Sequence, residues 1–454
     1  MNAIKQYTDL YRDHGSLLRD NSCQVLNDPR LKAYSDLLAM ELPKKGSENY
    51  EHTDLNELLS TDFALNLARV PLSINPQASF RCDVPNMSTA LFMLLNDRWA
   101  ETDISRRQLP EGVIVESLAK AAATRPELVG KYYNTIADPK NPLTALNTML
   151  AQDGLFLYIG KGIKLEKPLQ LVNILQHDAP LLTARRILIV VEEEAQAKLL
   201  ICDHTQNPDI KLMNLQTIEI FAGARSHFDL YDMEESTEHT IQLSTLYLRQ
   251  ATGSNVLIDG ITLFNGTTRN EYYCQMKEAD AELRLLGMGI EDLSRRLDTY
   301  SHISHEATGC HTTELFKYVV DDSATGAFSG RIHVAPGAQK TEAFQANRNI
   351  VGSSSARMFS KPQLEIYADD VKCSHGTAIG QLDQTQLFYM RTRGLTEATA
   401  RMLLKQAFMA DVIDGVRMPA LRDRLRQLVE MRFSGTLGAC SSCHSDCSFP
   451  TEQN

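Results

Sequence analysis

The pattern of hydrophobic and polar positions divides the chain into three stretches with different periods. Up to about residue 150 the spacing is helical. Asp28-Pro29 sets a capping side chain before a first-turn proline, and Leu31, Tyr34, Leu37, Leu38 and Leu42 share one face of the helix it opens. Leu42-Pro43-Lys44-Lys45-Gly46 breaks that helix. A strand-like run is expected at 91–95 and a further helix over 115–123. From about Gly154 the runs become short and β-rich, as in Leu155-Phe156-Leu157-Tyr158-Ile159 and Ile187-Leu188-Ile189-Val190-Val191. Small-residue turns recur between them, beginning at Ala195, Gly223, Gly253, Ala279, Ala307 and Pro336, so that successive starts differ by 28, 30, 26, 28 and 29 residues. A near-constant spacing without sequence identity predicts a solenoid whose coils stack strand on strand, a parallel β-helix. A β-sandwich is the competing architecture. It calls for a series of Asn-Gly or Asp-Gly hairpins, and no such series links adjacent strands, although Asp259-Gly260 is a candidate.

Helical signals return after Gly380. Asp383 and Gln386 have capping-box spacing at the head of a helix over 387–393, Gly394 ends it, and Thr396 can cap the next. Ala400, Leu403, Leu404, Ala407 and Phe408 form the second helix's apolar stripe. Pro419 opens a last helix with the stripe Leu421, Leu425, Leu428 and Val429. The expected organisation is a mainly helical domain at 1–150, a parallel β-helix core at 151–382, a helical domain at 383–435 and a flexible Cys-rich tail at 436–454. The C-terminal helices either cap the solenoid end or dock a partner, and the pattern alone fits both.

Composition narrows the function. A net charge of −11 repels phosphate backbones, which argues against nucleic acid as a partner. The longest aliphatic run, 187–191, is too short to cross a bilayer, and Met1-Asn2-Ala3-Ile4-Lys5-Gln6-Tyr7 lacks a signal-peptide layout. A cytoplasmic protein without membrane contact is therefore expected. Nine cysteines, an odd number with no export signal, read as reduced thiols rather than a disulfide framework.

Candidate chemistry concentrates late in the chain. If 371–375 is extended, Cys373 and His375 project from one face with Cα atoms ~6–7 Å apart. Thiolate and imidazole suit a soft metal or an iron–sulfur species. The neighbouring Asp369 and Asp370 are expected to raise the Cys373 pKa, which makes His375 the better ligand. A core cysteine and a satisfied histidine on a solenoid strand is the competing reading. Cys440, Cys443, His444 and Cys447 fall within one short tail segment. They read either as ligands for zinc or an iron–sulfur species or as a disordered, redox-sensitive tail, and so short a cluster closes a poor tetrahedron. Gly160-Lys161-Gly162 misses the phosphate-loop pattern, since Leu155 replaces its first glycine and Gly162 the Ser or Thr. No ATP hydrolysis by this chain is expected. Asp321-Asp322 and Asp369-Asp370 are conceivable carboxylate pairs of a stand-alone β-helix enzyme acting on a carbohydrate, the alternative function, and equally turn residues. His302, His305 and His311 form a loose group read as packing or surface residues.

Several ordered motifs resemble the SufB/SufD family of iron–sulfur cluster assembly scaffolds. They are Gly330-Arg331-Ile332-His333-Val334-Ala335-Pro336-Gly337-Ala338-Gln339-Lys340-Thr341, Asn347-Arg348-Asn349, the stretch 361–376, Gln381-Leu382-Asp383, and Leu387-Phe388-Tyr389-Met390-Arg391-Thr392-Arg393-Gly394. Leu42-Pro43, Glu48-Asn49-Tyr50 and Thr53-Asp54-Leu55 resemble the family's opening motif, with Tyr50 where a tryptophan is common. The resemblance implies a right-handed β-helix between helical end domains, and a non-catalytic scaffold in a SufBCD-type complex. It implies pairing with SufB through the β-helix and docking of the ATPase SufC through the region of Leu387, Phe388, Tyr389, Arg391, Arg393 and Gly394. It also implies a transient cluster at the SufB interface, none held stably by the isolated chain, with the cluster-associated histidine falling on His375. Cys373-Ser374-His375-Gly376 stands where SufB-like chains carry Glu-His-Glu-Ala, which favours the SufD side of the family. Whether the isolated chain forms a homodimer stays open.

Overall fold

The computed structural model describes residues 3–70, 89–101 and 109–436. Two facing sheets wind into a parallel β-solenoid, so the solenoid expectation holds and no sandwich forms. One sheet stacks β3 (Val113–Ser117), β4 (Asp153–Ile159), β6 (Leu181–Val191), β8 (Leu212–Ala222), β10 (Thr240–Gln250), β12 (Thr267–Met276), β14 (Arg296–His305), β16 (Thr325–Val334) and β18 (Arg357–Ile366) in that order. The other stacks β2 (Arg98–Ala100), β1 (Ala90–Leu95), β5 (Leu169–Leu175), β7 (Gln196–Thr205), β9 (His227–Glu235), β11 (Asn255–Phe264), β13 (Glu282–Glu291), β15 (His311–Val320), β17 (Glu342–Val351) and β19 (Lys372–Gly380). From β4 onward the chain alternates between the sheets, and each coil adds one strand to both.

The corners explain the spacing read from the sequence. A residue with positive φ recurs at Glu194, Arg225, Gly253, Asp280, Gly309 and Lys340. Each donates its backbone N–H to the carbonyl of the next corner, as from Arg225 to Thr252 at 2.8 Å and from Gly309 to Gln339 at 2.9 Å. The residue that follows is small and buried: Ala195, Ser226, Ser254, Ala281, Cys310 and Thr341. Only a short side chain fits inside so tight a bend, and Cys310 is present for that reason. Asp259-Gly260 lies within β11 and turns nothing, whereas Asn265-Gly266 forms the corner between β11 and β12.

Side chains alternate along every strand, so one row fills the lumen and the other meets the outer layers. Leu157, Ile189, Ile220, Leu230, Leu248, Ile258, Leu285 and Ile303 are among the lumen residues. The N-terminal helices Ile4–Asp20, Gln24–Ala39 and Pro142–Leu150 cover the outer face of the even-numbered sheet through Leu182, Met213, Leu215 and Leu243. Buried polar groups fix this layer. Arg186 meets Glu219 at 2.7 Å, the Tyr50 hydroxyl donates to Glu271 at 2.8 Å, and Arg269 donates to the Asn49 carbonyl at 2.6 Å. The helices Glu397–Ile413 and Pro419–Ser434 lie flat on the odd-numbered sheet, packing Met409, Val412, Leu421 and Leu425 over Leu257, Leu286 and Met288. They therefore cover a side of the solenoid, not its end. Strands covered on both faces, such as β6, are buried at every position. In β17 buried and open positions alternate, and β19 is exposed along most of its length.

Local expectations met mixed outcomes. Asp383 caps the helix Gln384–Thr392, Thr396 caps Glu397–Ile413, and Pro419 begins its helix with Leu421, Leu425, Leu428 and Val429 all buried. Of the stripe expected on the middle helix, Ala400 is buried and Leu404 and Phe408 pack against the core, joined by Met409, Val412 and Ile413, while Leu403 and Ala407 face outward. The helix expected to open at Asp28 begins at Gln24 and carries Pro29 inside it. Its buried face is Leu26, Arg30, Ala33 and Leu37, leaving Leu31 and Leu38 in solvent, because Arg30 finds the Ala151 carbonyl at 2.5 Å. The segment 115–117 belongs to β3, and the helix there is Leu118–Thr124.

Candidate functional site

The two ends of the solenoid differ. At one, the closed end, the sheets finish in short antiparallel strands, β3 on β4 and β2 on β1. At the other, the open end, they finish in the full-length parallel strands β18 and β19; all four terminal strands have a neighbour on one side only among the described residues. The last coil is laid on the one before it by Tyr367 N–H to Val334 and Lys372 N–H to Thr341, both at 2.9 Å. The last coil carries a row of unpaired backbone groups and the exposed apolar side chains Phe359, Ile366, Tyr367 and Ile379. The Phe359 ring stacks on His52 with centroids 3.9 Å apart.

The segment around Cys373 and His375 is extended within β19, so both side chains project to the same face. Cys373 is half-buried and packs against the lumen core. Alternation therefore directs His375 to the mouth of the lumen, where it is exposed. Among the described residues His375 has no hydrogen-bond or ion-pair partner. One bond crosses the mouth, from Thr377 Oγ1 to Ser360 at 2.7 Å. Burial pushes the Cys373 thiol up, and a backbone hydrogen bond with Ala343 works the other way. The Asp369–Asp370 pair expected to raise it is not the cause: both aspartates are exposed corner residues. Asp321 pairs with Lys405 and Asp322 accepts the Leu293 N–H at 3.0 Å, so corner and helix contacts occupy this pair. Lys161 is likewise paired, with Glu193.

The other histidines do not converge. His302 lies half-buried beside Tyr273 on an outer face, and His305 sits in the lumen with Nε2 3.0 Å from the Thr312 hydroxyl. His311 faces outward from the opposite sheet, 3.7 Å from Glu342. Among the described residues no group of three or more His, Cys, Asp or Glu side chains is placed to hold a metal ion. Cys440, Cys443, His444 and Cys447 lie outside the described residues.

On the helix Gln384–Thr392, Phe388 and Tyr389 are 68% and 57% exposed, whereas Leu387 is buried and ties the helix to the body. The Arg393 guanidinium lies 5.1 Å from the Tyr389 ring centroid, Arg391 stands 3.5 Å from Glu397, and Gly394 takes a positive φ of 92° that ends the helix. Phe359, Tyr367 and Ile379 were missed as site residues by sequence reasoning. Phe359 and Ile379 alternate as on any solenoid strand and Tyr367 follows one at a corner, so only the missing neighbour strand sets them apart.

The structure is thus a two-sheet parallel solenoid that finishes at one end in long parallel edge strands, with Cys373 and His375 on the last of them. The comparisons specify its class. Residues 174–408 match the family model described as "SUF system FeS cluster assembly, SufBD core domain", and residues 1–171 match that of the SufBD N-terminal region. An iron–sulfur cluster assembly SufBD family protein of Synechocystis is 30% identical over 90% of this chain and 91% of its own length. The iron–sulfur cluster assembly protein SufD of Escherichia coli is 27% identical over 96% of this chain and 97% of its own length. The Bacillus subtilis protein of that name is 25% identical over 90% of this chain and 94% of its own length. The chain belongs to the SufBD family of iron–sulfur cluster assembly proteins. Among the described residues no helix is long and apolar enough to cross a membrane.

Proposed function

We propose that the chain is a non-catalytic scaffold subunit that pairs through β18 and β19 with a SufB-type paralogue and docks a SufC-type ATPase on the helix Gln384–Thr392. The observation that carries the reading is the open mouth, where Cys373 and His375 project from one face of an unpartnered edge strand. Iron–sulfur clusters draw on larger donor sets than one thiol and one imidazole, so a second subunit across the seam completes the set. The cluster is cargo, built transiently at that seam and not held by the isolated chain. His375 is the stronger donor of the two, because burial keeps Cys373 as a thiol. Exposed Phe388 and Tyr389, flanked by Arg391 and Arg393, supply the apolar centre and charged rim of an ATPase docking patch, with Leu387 as its anchor.

The test is anaerobic co-expression with SufB- and SufC-type partners. A three-component complex with oxygen-sensitive brown colour is expected. His375→Ala should leave the complex intact and impair maturation of iron–sulfur enzymes. Normal maturation in that variant, or carbohydrate cleavage by the isolated chain, contradicts the reading.

A further inference from the structure

The lumen behind His375 is not uniformly apolar. Strand register stacks His375, Gln345, Glu314 and Leu285 in one column on β19, β17, β15 and β13. Pro362, Gly330, Ser301 and Tyr272 form a column on β18, β16, β14 and β12. The contacts of Ser301 with Glu314, and of Gln345 with the space beside Gly330, join the two columns across the lumen. Together they make a line of packed polar side chains beneath His375 that ends on Leu285 and Tyr272.

Glu314 and Gln345 are 1% and 3% exposed. The Glu314 carboxyl accepts from the Ser301 hydroxyl and, at 2.6 Å, from Gln345 Nε2. With its N–H committed to Glu314, the Gln345 amide leaves Oε1 buried and without a partner. The amide fills space that only glycine leaves free at position 330, since a Cβ there would lie 2.3 Å from Nε2. A buried acceptor left unsatisfied costs about 1–3 kcal/mol, which an arriving donor would recover. The residue above Gln345 in the column is His375. A histidine that ligates a metal through one ring nitrogen almost always donates the other N–H to a fixed acceptor, which sets its tautomer and orientation.

We propose that Gln345 is a positioning residue for His375: its Oε1 accepts the imidazole N–H when iron is held at the mouth, and Glu314 fixes the amide by accepting its Nε2–H. This rests on the reading that His375 faces the cargo. The metal alone serves as the probe, with Co²⁺ standing for Fe²⁺ and added anaerobically to the full chain assembled with its SufB- and SufC-type partners. The signal is the visible absorption that disappears in His375→Ala. Gln345→Met keeps the volume and removes the acceptor, and it should weaken that binding about 10–100-fold. Gln345→Glu, which keeps an acceptor but lacks the Nε2–H that Glu314 accepts, should recover only part of it. Gly330→Ala displaces the same amide from the other side and should repeat the loss even if Gln345→Met fails to assemble. Wild-type affinity in Gln345→Met, or in Gly330→Ala should Gln345→Met not assemble, overturns the inference while the His375 control still loses its signal. An unchanged signal in His375→Ala instead removes the reading on which the inference rests.

Discussion

The closed and open ends of the solenoid are built from the same kind of coil and finished differently. At the closed end Phe92 points inward from β1, is 2% exposed, and lies 5.7 Å from the Trp99 ring on the antiparallel strand that covers it. At the open end Phe359, on the last even-numbered strand, is 39% exposed and touches His52. A stack of parallel strands leaves an unsatisfied edge at each end, and proteins blunt such edges unless they have a use. Under the proposed function the first end contributes stability and the second is the surface for association.

The largest effect expected from that contrast is on stability. Phe92→Ala should cost about 3–5 kcal/mol, while Phe359→Ala should stay within about 1 kcal/mol, both read by denaturant titration. Equal costs would erase the distinction. Association should show the reverse ranking. Ile379→Asp sets a charge on the β19 edge and should weaken pairing with the paralogue more than tenfold, with the melting temperature nearly unchanged. Retention of the pair in a pull-down would place the interface elsewhere.

The carboxylates sharpen the comparison. Inside the body, burial pushes Asp232, Asp259, Glu291 and Glu314 up to about 7 and Glu234 up to about 8. At the rim, Lys372 holds Glu342 low and Arg331 holds Glu365 low. Between the ordinary carboxyl range and pH 7 the folded chain binds more protons than the unfolded chain, so stability falls as pH rises through that window. His305, lowered to about 4 by burial, and His302, also lowered by burial, oppose this, two groups against these five carboxyls. The melting temperature should be higher at pH 5.5 than at pH 8. Glu234→Gln should flatten the slope by about 1.4 kcal/mol per pH unit across its share of the window. A slope of opposite sign would mean that these carboxyls are ionised in the fold. The smallest effect is local. Asp383→Ala removes the cap on the exposed helix, costs about 1 kcal/mol there, and should speed amide exchange in Gln384–Thr392 without changing exchange in the core strands.

The coil repeat was legible because each corner needs one small buried residue, and Ala195, Ser226, Ser254 and Ala281 keep that need visible at near-constant spacing. The Cys373 and His375 pair was legible because alternation within one strand is a local property. Asp28-Pro29 misled because a capping side chain before proline looks the same whether it starts a helix or sits inside one; only the Arg30 contact with Ala151 decides which face is buried. Glu314 and Gln345 stayed illegible for a deeper reason. Each lies about one coil from the next member of its column, and their relation to His375 exists only once the strands are in register. The open edge was hidden too, because β18 and β19 read like any other pair of strands.

The most direct measurement is hydrogen–deuterium exchange of the chain alone and bound to its SufB-type paralogue. Arg357–Ile366 and Lys372–Gly380 should exchange fast when free and become protected on binding, with Arg98–Ala100 at the closed end unchanged. Protection at the closed end, with the open-end strands unaffected, would contradict the account.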